Sequence, residues 1–234
     1  MSAGGARDTI ECGFDPPYRL GGQLAVLVGV LRSAVPIPPA AARAGWRPVA
    51  FFGQSLAAIV ASHYDDPPRE RPVPYHEAIL ALLVRRDACL ATLPISMQLD
   101  RIEPTLDGRR YYSFPKSYEP ALRLSIASGG PVRVEGDSLR VEASPRSAAT
   151  RALLAPTCVL FALATRGVTA VLPVVGTAED PHRRAIVALR PGARGWPLKV
   201  SDVRVSQARF RVLWAQAFER CSTLLGSPTT LDSG

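Results

Sequence analysis

The stretch PVRVEGDSLRVEAS, residues 131–144, narrows the choice of fold most sharply. Val132 and Val134, then Leu139 and Val141, alternate with polar side chains across a Glu-Gly-Asp-Ser turn, and a period of two with one wet face marks a β-hairpin. Strand-length apolar runs recur at Leu24–Leu31, at Ala78–Val84 and in TCVLFALAT, TAVLPVV and RAIVALR. In VAFFGQSLAAIVASHYDD periodicity alone does not separate a buried strand from a helix. DVRVSQARFRVLW fits a half-exposed strand imperfectly, through Arg204, Gln207, Arg209 and Arg211. A short helix is expected from about Pro38, where proline suits a first helical turn, and beyond it only Leu213–Leu225 reads as helical. Frequent Pro and Gly, many short strands and few amphipathic helices predict a mainly β (α+β) fold, a closed or strongly curved antiparallel sheet with a few short helices.

A chain of 234 residues can bury one substantial core. The expected division is a loose lead-in over 1–15, a single domain over 16–225 and a frayed tail over 226–234. An apolar share of 47% with 21% charged residues excludes wholesale disorder. Residues 1–6 lack the charged-then-apolar order of a secretory leader, and Leu24–Leu31 falls short of a bilayer span, so no membrane partner is expected. Cys12, Cys89, Cys158 and Cys221 lie far apart with no histidine at ligand spacing, which reads as reduced thiols in a cytoplasmic protein and predicts no metal. The net charge of +8 raises nucleic-acid binding as a question. Its usual footprint is a clustered basic face, whereas these arginines are spread along the whole chain, so no nucleic-acid partner is expected.

Lys116, in YYSFPKSYEP, is one of two lysines beside 26 arginines. A surface cation would by local habit be arginine, so a lysine flanked by Phe114, Pro115 and Tyr118 points to a task that guanidinium cannot perform, losing a proton. An ordinary amine, with a pKa near ~10.4, is deprotonated at about one part in 2,500 at pH 7. Bringing it to neutrality requires roughly 4 to 5 kcal/mol of differential destabilisation of the cation, through desolvation or a nearby positive charge.

YSFPKSYEPAL resembles the active-site signature of the acetoacetate decarboxylase-like superfamily, an aromatic-Pro-Lys followed by Pro and an apolar residue. PYRLGGQLAVLVGVLRS resembles its first strand, AVPIPP the loop after it, PYHEA the segment with its pocket glutamate, and QARFRVLWAQAFERCSTLL its last strand. Order and spacing match over about residues 16–225. The resemblance implies a cone-like antiparallel β-barrel with an internal pocket and self-association into a homo-oligomer. It also implies that Lys116 is the Schiff-base lysine and that Glu77 positions substrate and moves protons. Two positions depart: Ser117 stands where the decarboxylase has a second lysine, and Gln23 where it has a substrate-facing arginine. Both departures remove positive charge, so Lys116 must rely on burial or on an arginine such as Arg110 or Arg123, and Gln23 suits a carbonyl or hydroxyl better than a carboxylate.

The expected reaction is iminium formation with a small-molecule ketone or polyketide-like substrate, leading to decarboxylation, aldol or dehydration chemistry, or cyclisation, in specialised metabolism. No cofactor is required. Tyr75, His76, Tyr112, Phe114 and Tyr118 are candidates for pocket shape or proton transfer, with Gln23 and Ser117 as substrate contacts. Against this stand an exposed loop lysine, a solvated Glu77, a noncovalent cyclase working by shape and hydrogen bonds, and a binding module without turnover. His63 and His182 have no partners at ligand spacing, and Lys199 reads as a charge at a strand edge.

Overall fold

In the computed structural model, residues 18–32, 36–66, 74–87, 89–146, 170–175, 183–191, 195–206, 208–225 and 229–230 are described. The long strands are β1 (Tyr18–Leu31), β4 (Gln54–Asp66), β5 (Tyr75–Arg86), β6 (Cys89–Leu99), β13 (Gly195–Val205) and β14 (Phe210–Leu225). Shorter ones are β2 (Arg47–Pro48), β3 (Ala50–Phe51), β7 (Lys116–Tyr118), β8 (Arg123–Ile126), β9 (Val132–Glu135), β10 (Leu139–Pro145), β11 (Ala170–Val175), β12 (Arg183–Pro191) and β15 (Thr229–Thr230). Two helices are described, α1 (Pro39–Arg43) and α2 (Ile102–Tyr112).

Pairing runs from β6 through β5, β4 and β1 to β14, all antiparallel, while β11 joins β6 to β12. The contact of β12 with β14, from Val187↔Leu225 to Pro191↔Cys221, completes a ring of strands. A second group, β8, β9, β10 and β13, joins it where Trp196 pairs with Ala217 of β14. The curled, mainly β architecture is the one expected. Hairpin β9–β10 holds the predicted register, with Val141 opposite Val134 and the valines buried.

From Leu24 to Leu31 every residue of β1 is buried, because strands flank both edges and side chains cover both faces. Ala25 and Leu27 pack with Ile59, Ala78, Leu80, Val132, Val134 and Val141 on one face. Leu24, Val26 and Val28 pack with Phe218 and Cys221 on the other. Beyond them, on the latter face, Tyr64, Tyr75, Met97, Leu99, Tyr112 and Phe114 form an aromatic-rich cluster.

Several sequence expectations change. Leu213–Leu225 is strand, not helix: its Ala, Leu, Gln and Glu content favours a helix in isolation, but β14 is paired along β1 over almost its whole length and Ala215, Ala217, Phe218 and Cys221 are buried. DVRVSQARFRVLW is two strands, the end of β13 and the start of β14, with a turn at Ser206 between them. The ambiguous VAFFGQSLAAIVASHYDD folds as hairpin β3–β4. Helix α2 was not foreseen, since Pro104 and Gly108 weaken its helical pattern. The strand expected at TCVLFALAT and the terminal segments 1–15 and 231–234 lie outside the described residues.

Candidate active site

Helix α2 delivers the lysine. It ends at Ser113 in the left-handed conformation (φ 53°, ψ 34°), where the Ser113 and Phe114 N–H groups donate to the carbonyls of Arg109 (3.2 Å) and Gly108 (3.1 Å). The chain reverses, Pro115 follows, and Lys116 opens β7, which pairs in parallel with β6 at Met97↔Lys116. Arg109 Nε donates to the Lys116 carbonyl at 2.6 Å, pinning the short strand to the helix. The lysine side chain then runs back over Gly108, where an added Cβ would lie 2.3 Å from Cδ and 2.4 Å from Cε. Only glycine leaves that path open.

Lys116 Nζ ends 3.0 Å from Glu77 Oε1, and the two residues are 7% and 4% exposed. The contact is a close ion pair whose alignment falls short of a directional hydrogen bond on Oε1. Nζ also donates to the Pro104 carbonyl at 3.3 Å. Glu77 lies opposite Ser62 of β4, which lies opposite Leu24 of β1, so this row shares a sheet face with the aromatic cluster. The rings of Tyr64 and Tyr75 are 4.9 Å apart, and Tyr112 stacks on Phe114 at 5.1 Å. Burial, reinforced by the Glu77 charge, raises the Tyr64 and Tyr75 phenols well above their ordinary range, so both stay protonated. Burial alone does the same for Tyr112.

Of the residues expected from sequence, Lys116, Glu77, Tyr75, Tyr112 and Phe114 are buried together around this pair. Gln23, His76, Ser117 and Tyr118 are not brought there. Gln23 lies opposite His63, and His63 opposite His76, one residue out of phase with the Leu24–Ser62–Glu77 row and therefore on the other sheet face. There His76 Nδ1 is 2.8 Å from Asp100 Oδ2 and its ring lies 4.7 Å from that of His63. Ser117 is exposed and donates to the Met97 carbonyl, and Tyr118 is half exposed. Neither Arg110 nor Arg123 reaches the amine: Arg110 lies over Tyr111, and Arg123 caps the Pro120 and Leu122 carbonyls.

Sequence reasoning missed Ser62, Tyr64, Thr223 and Gly108. The Ser62 and Thr223 hydroxyls are buried beside Tyr64 and influence its ionisation, yet neither completes a directional hydrogen bond. Small hydroxyl residues carry no motif, so only the cross-strand register could have found them. Next to them the Cys221 thiol is free, and burial pushes its pKa up to about 12. No group of three His, Cys, Asp or Glu side chains among the described residues is arranged to hold a metal ion. No described helix is long and apolar enough to cross a membrane.

No family profile matches the sequence, and no curated protein matches it. Solved structures do match its shape. Acetoacetate decarboxylase from Legionella pneumophila superposes with a TM-score of 0.60 at 14% identity, over 92% of this chain and 88% of that one. An acetoacetate decarboxylase-like enzyme from Sphingomonas wittichii gives 0.59 at 15% identity over 94% of both chains. The enduracididine biosynthesis enzyme MppR, complexed with the condensation product of pyruvate and imidazole 4-carboxaldehyde, gives 0.57 at 14% identity over 94% and 90%. The chain thus has the acetoacetate decarboxylase-like fold.

Proposed function

We propose that this protein is an enzyme that binds a small ketone or keto-acid, polyketide-like in the broadest case, and activates it as a Schiff base on Lys116. The observation that carries this reading is the Lys116–Glu77 contact, an amine and a carboxylate 3.0 Å apart and almost wholly buried. Moving one proton from Nζ to Oε1 converts the ion pair into a neutral amine and a neutral acid without changing the net charge. The neutral amine is the form that can attack a carbonyl carbon.

The neutral Nζ would attack the substrate carbonyl carbon. Glu77 would return its proton to the oxygen, the attacking nitrogen would give up the second, and water would leave to give the iminium. The carboxylate regenerated at Glu77 would take the next proton, from the carbon beside the iminium, leaving an enamine. The iminium itself takes up the electron pair when a β-carboxylate leaves as carbon dioxide, which gives the enamine directly, whereas from the enamine a β-hydroxyl is expelled or an aldehyde carbon is attacked. Protonated Tyr64 and Tyr75 can donate to substrate oxygens, and the Ser62 and Thr223 hydroxyls can accept or donate. That MppR, a protein of the same fold, was captured with a condensation product of pyruvate and an aldehyde supports carbonyl chemistry in such a scaffold.

One observation favours a second reading, a pocket that cyclises a substrate without covalent attachment. Nζ already faces two acceptors, Glu77 and the Pro104 carbonyl, as a permanently charged structural lysine would. Incubation with pyruvate or acetylacetone and cyanoborohydride, followed by peptide mass spectrometry, separates the two. A reduced adduct on Lys116 supports the imine. An unmodified Lys116 in a protein whose Lys116→Met variant still turns over would establish the noncovalent route.

A further inference from the structure

A concave site lies at the far end of β1. From Leu24, level with Glu77, to Arg32 the strand advances roughly 26 Å at ~3.3 Å per residue. There the ends of β1 and β13, the turn after β13 and the start of β14 enclose an open groove of about 450 Å³. Its charged lining is Arg32, Arg204, Arg209 and Arg211, and no acidic side chain lines it among the described residues. Arg204 Nε is 3.2 Å from Asp202. Arg32, Arg209 and Arg211 are exposed, and none forms an ion pair with a described residue.

Their convergence is built into the backbone. The Arg32 N–H donates to the Arg209 carbonyl at 2.9 Å, which brings these two residues together across β1 and β14. Arg209, immediately before β14, and Arg211, within it, flank Phe210. Phe210 is partly buried and packs against two core clusters, so the groove has a firm floor. Gly29 lets that floor come close: a Cβ there would meet the Phe210 ring at 2.7 Å and the Arg211 carbonyl at 2.3 Å. Val203, Val205 and Ala208 supply apolar walls.

The guanidinium groups of Arg32, Arg209 and Arg211, gathered without a counter-charge among the described residues, repel one another, and an anion relieves that repulsion. The planar fork of arginine matches phosphate in a bidentate way, and the apolar walls can cover an attached hydrocarbon or ring. The volume lies in the range of small-ligand sites, ~300 to 1,000 Å³. Nucleic-acid binding by contrast needs a basic stripe along a face, not a single concavity. We infer that the groove between Arg32, Arg204, Arg209 and Arg211 is a second ligand site that binds a small phosphate ester with an apolar body, independently of the Lys116 pocket.

Calorimetric titration of the full chain with phenyl phosphate, inorganic phosphate and a short DNA duplex, at low and at physiological ionic strength, tests this. Saturable one-site binding of phenyl phosphate is expected, several-fold tighter than inorganic phosphate. It should weaken at least 10-fold in Arg209→Glu/Arg211→Glu and measurably in the milder Arg209→Gln/Arg211→Gln. Arg133→Glu, a charge change equal to that of the Arg209→Gln/Arg211→Gln pair at an exposed position of β9, and Lys116→Met should leave it intact. If phenyl phosphate fails to saturate the wild-type protein, or Arg133→Glu weakens it as much as the groove variants, the effect is diffuse net charge and the site is refuted. Tighter binding of the duplex, lost in the groove variants, would replace the small phosphate ester with a nucleic acid.

Discussion

Lys116 crosses Gly108 so closely that a methyl group on the glycine would lie 2.3 Å from Cδ of the lysine. Helix propensity alone would make Gly108→Ala stabilising by about 1 kcal/mol. The atoms it would strike belong to a flexible side chain, so the lysine should move and the helix should stay. The expected variant unfolds in urea within about 1 kcal/mol of wild type, yet forms the borohydride-trapped adduct at least 10-fold more slowly. An adduct formed at the wild-type rate would mean that the observed path of the side chain is not the reactive one.

The Lys116–Glu77 pair gives a thermodynamic test that needs no substrate. Lys116→Met leaves the Glu77 carboxylate buried without its cation, a change that typically costs about 3–5 kcal/mol. Adding Glu77→Gln removes the orphaned charge and should recover at least half of the loss in denaturant unfolding. Additive losses in the double variant would show that the two groups are not coupled.

Glu119 is a second buried carboxylate, 6% exposed, three residues beyond the lysine. It accepts from Gln98 Nε2 of β6 and from the Asp137 N–H in the β9–β10 turn, so it ties the end of β7 to two elements. Glu119→Ala strands both donors and should cost about 2–4 kcal/mol. Faster amide exchange in β7 should accompany the loss. Glu119→Gln, which keeps an acceptor, should fall between the two.

The histidine row on the opposite face has its own pH signature. Burial, then the neighbouring His76, hold the His63 pKa below its ordinary value of 6.5, and the charges of Asp65 and Asp100 only partly oppose them. The unfolded chain therefore binds a proton that folded His63 resists. Its contribution to stability is full above about pH 6.5 and is lost as pH falls through the lower folded value. Urea midpoints measured from pH 7.5 down to pH 5 should fall less steeply in His63→Phe than in the wild-type protein. Parallel curves would assign the acid sensitivity to other groups.

How far the sequence carried can be argued residue by residue. Lys116 and Glu77 were legible because an aromatic-Pro-Lys motif and a Pro-Tyr-His-Glu segment keep their order, and hairpin β9–β10 because alternation survives at a half-wet surface. Gln23, expected as a substrate contact, lies one residue out of phase with the row that carries Glu77. Phase along β1 depends on a register shift between Gly22 and Leu24 against β14, and no local pattern encodes it. Leu213–Leu225 failed for the opposite reason: its local preference was clear, and tertiary pairing overrode it. Ser62 and Thr223 were silent, because a small hydroxyl acquires meaning only from what surrounds it.

The amine and everything that aims it, from the Pro104 carbonyl through Gly108 and Arg109 to the turn at Ser113, come from one continuous stretch, whereas its acid sits on a distant strand. Such a division makes the helix and its exit an exchangeable cassette. Substitutions within it can retune the reach and angle of the amine while the strands that hold the carboxylate stay unaltered, so under the proposed imine chemistry a change of substrate needs edits to only a few neighbouring codons.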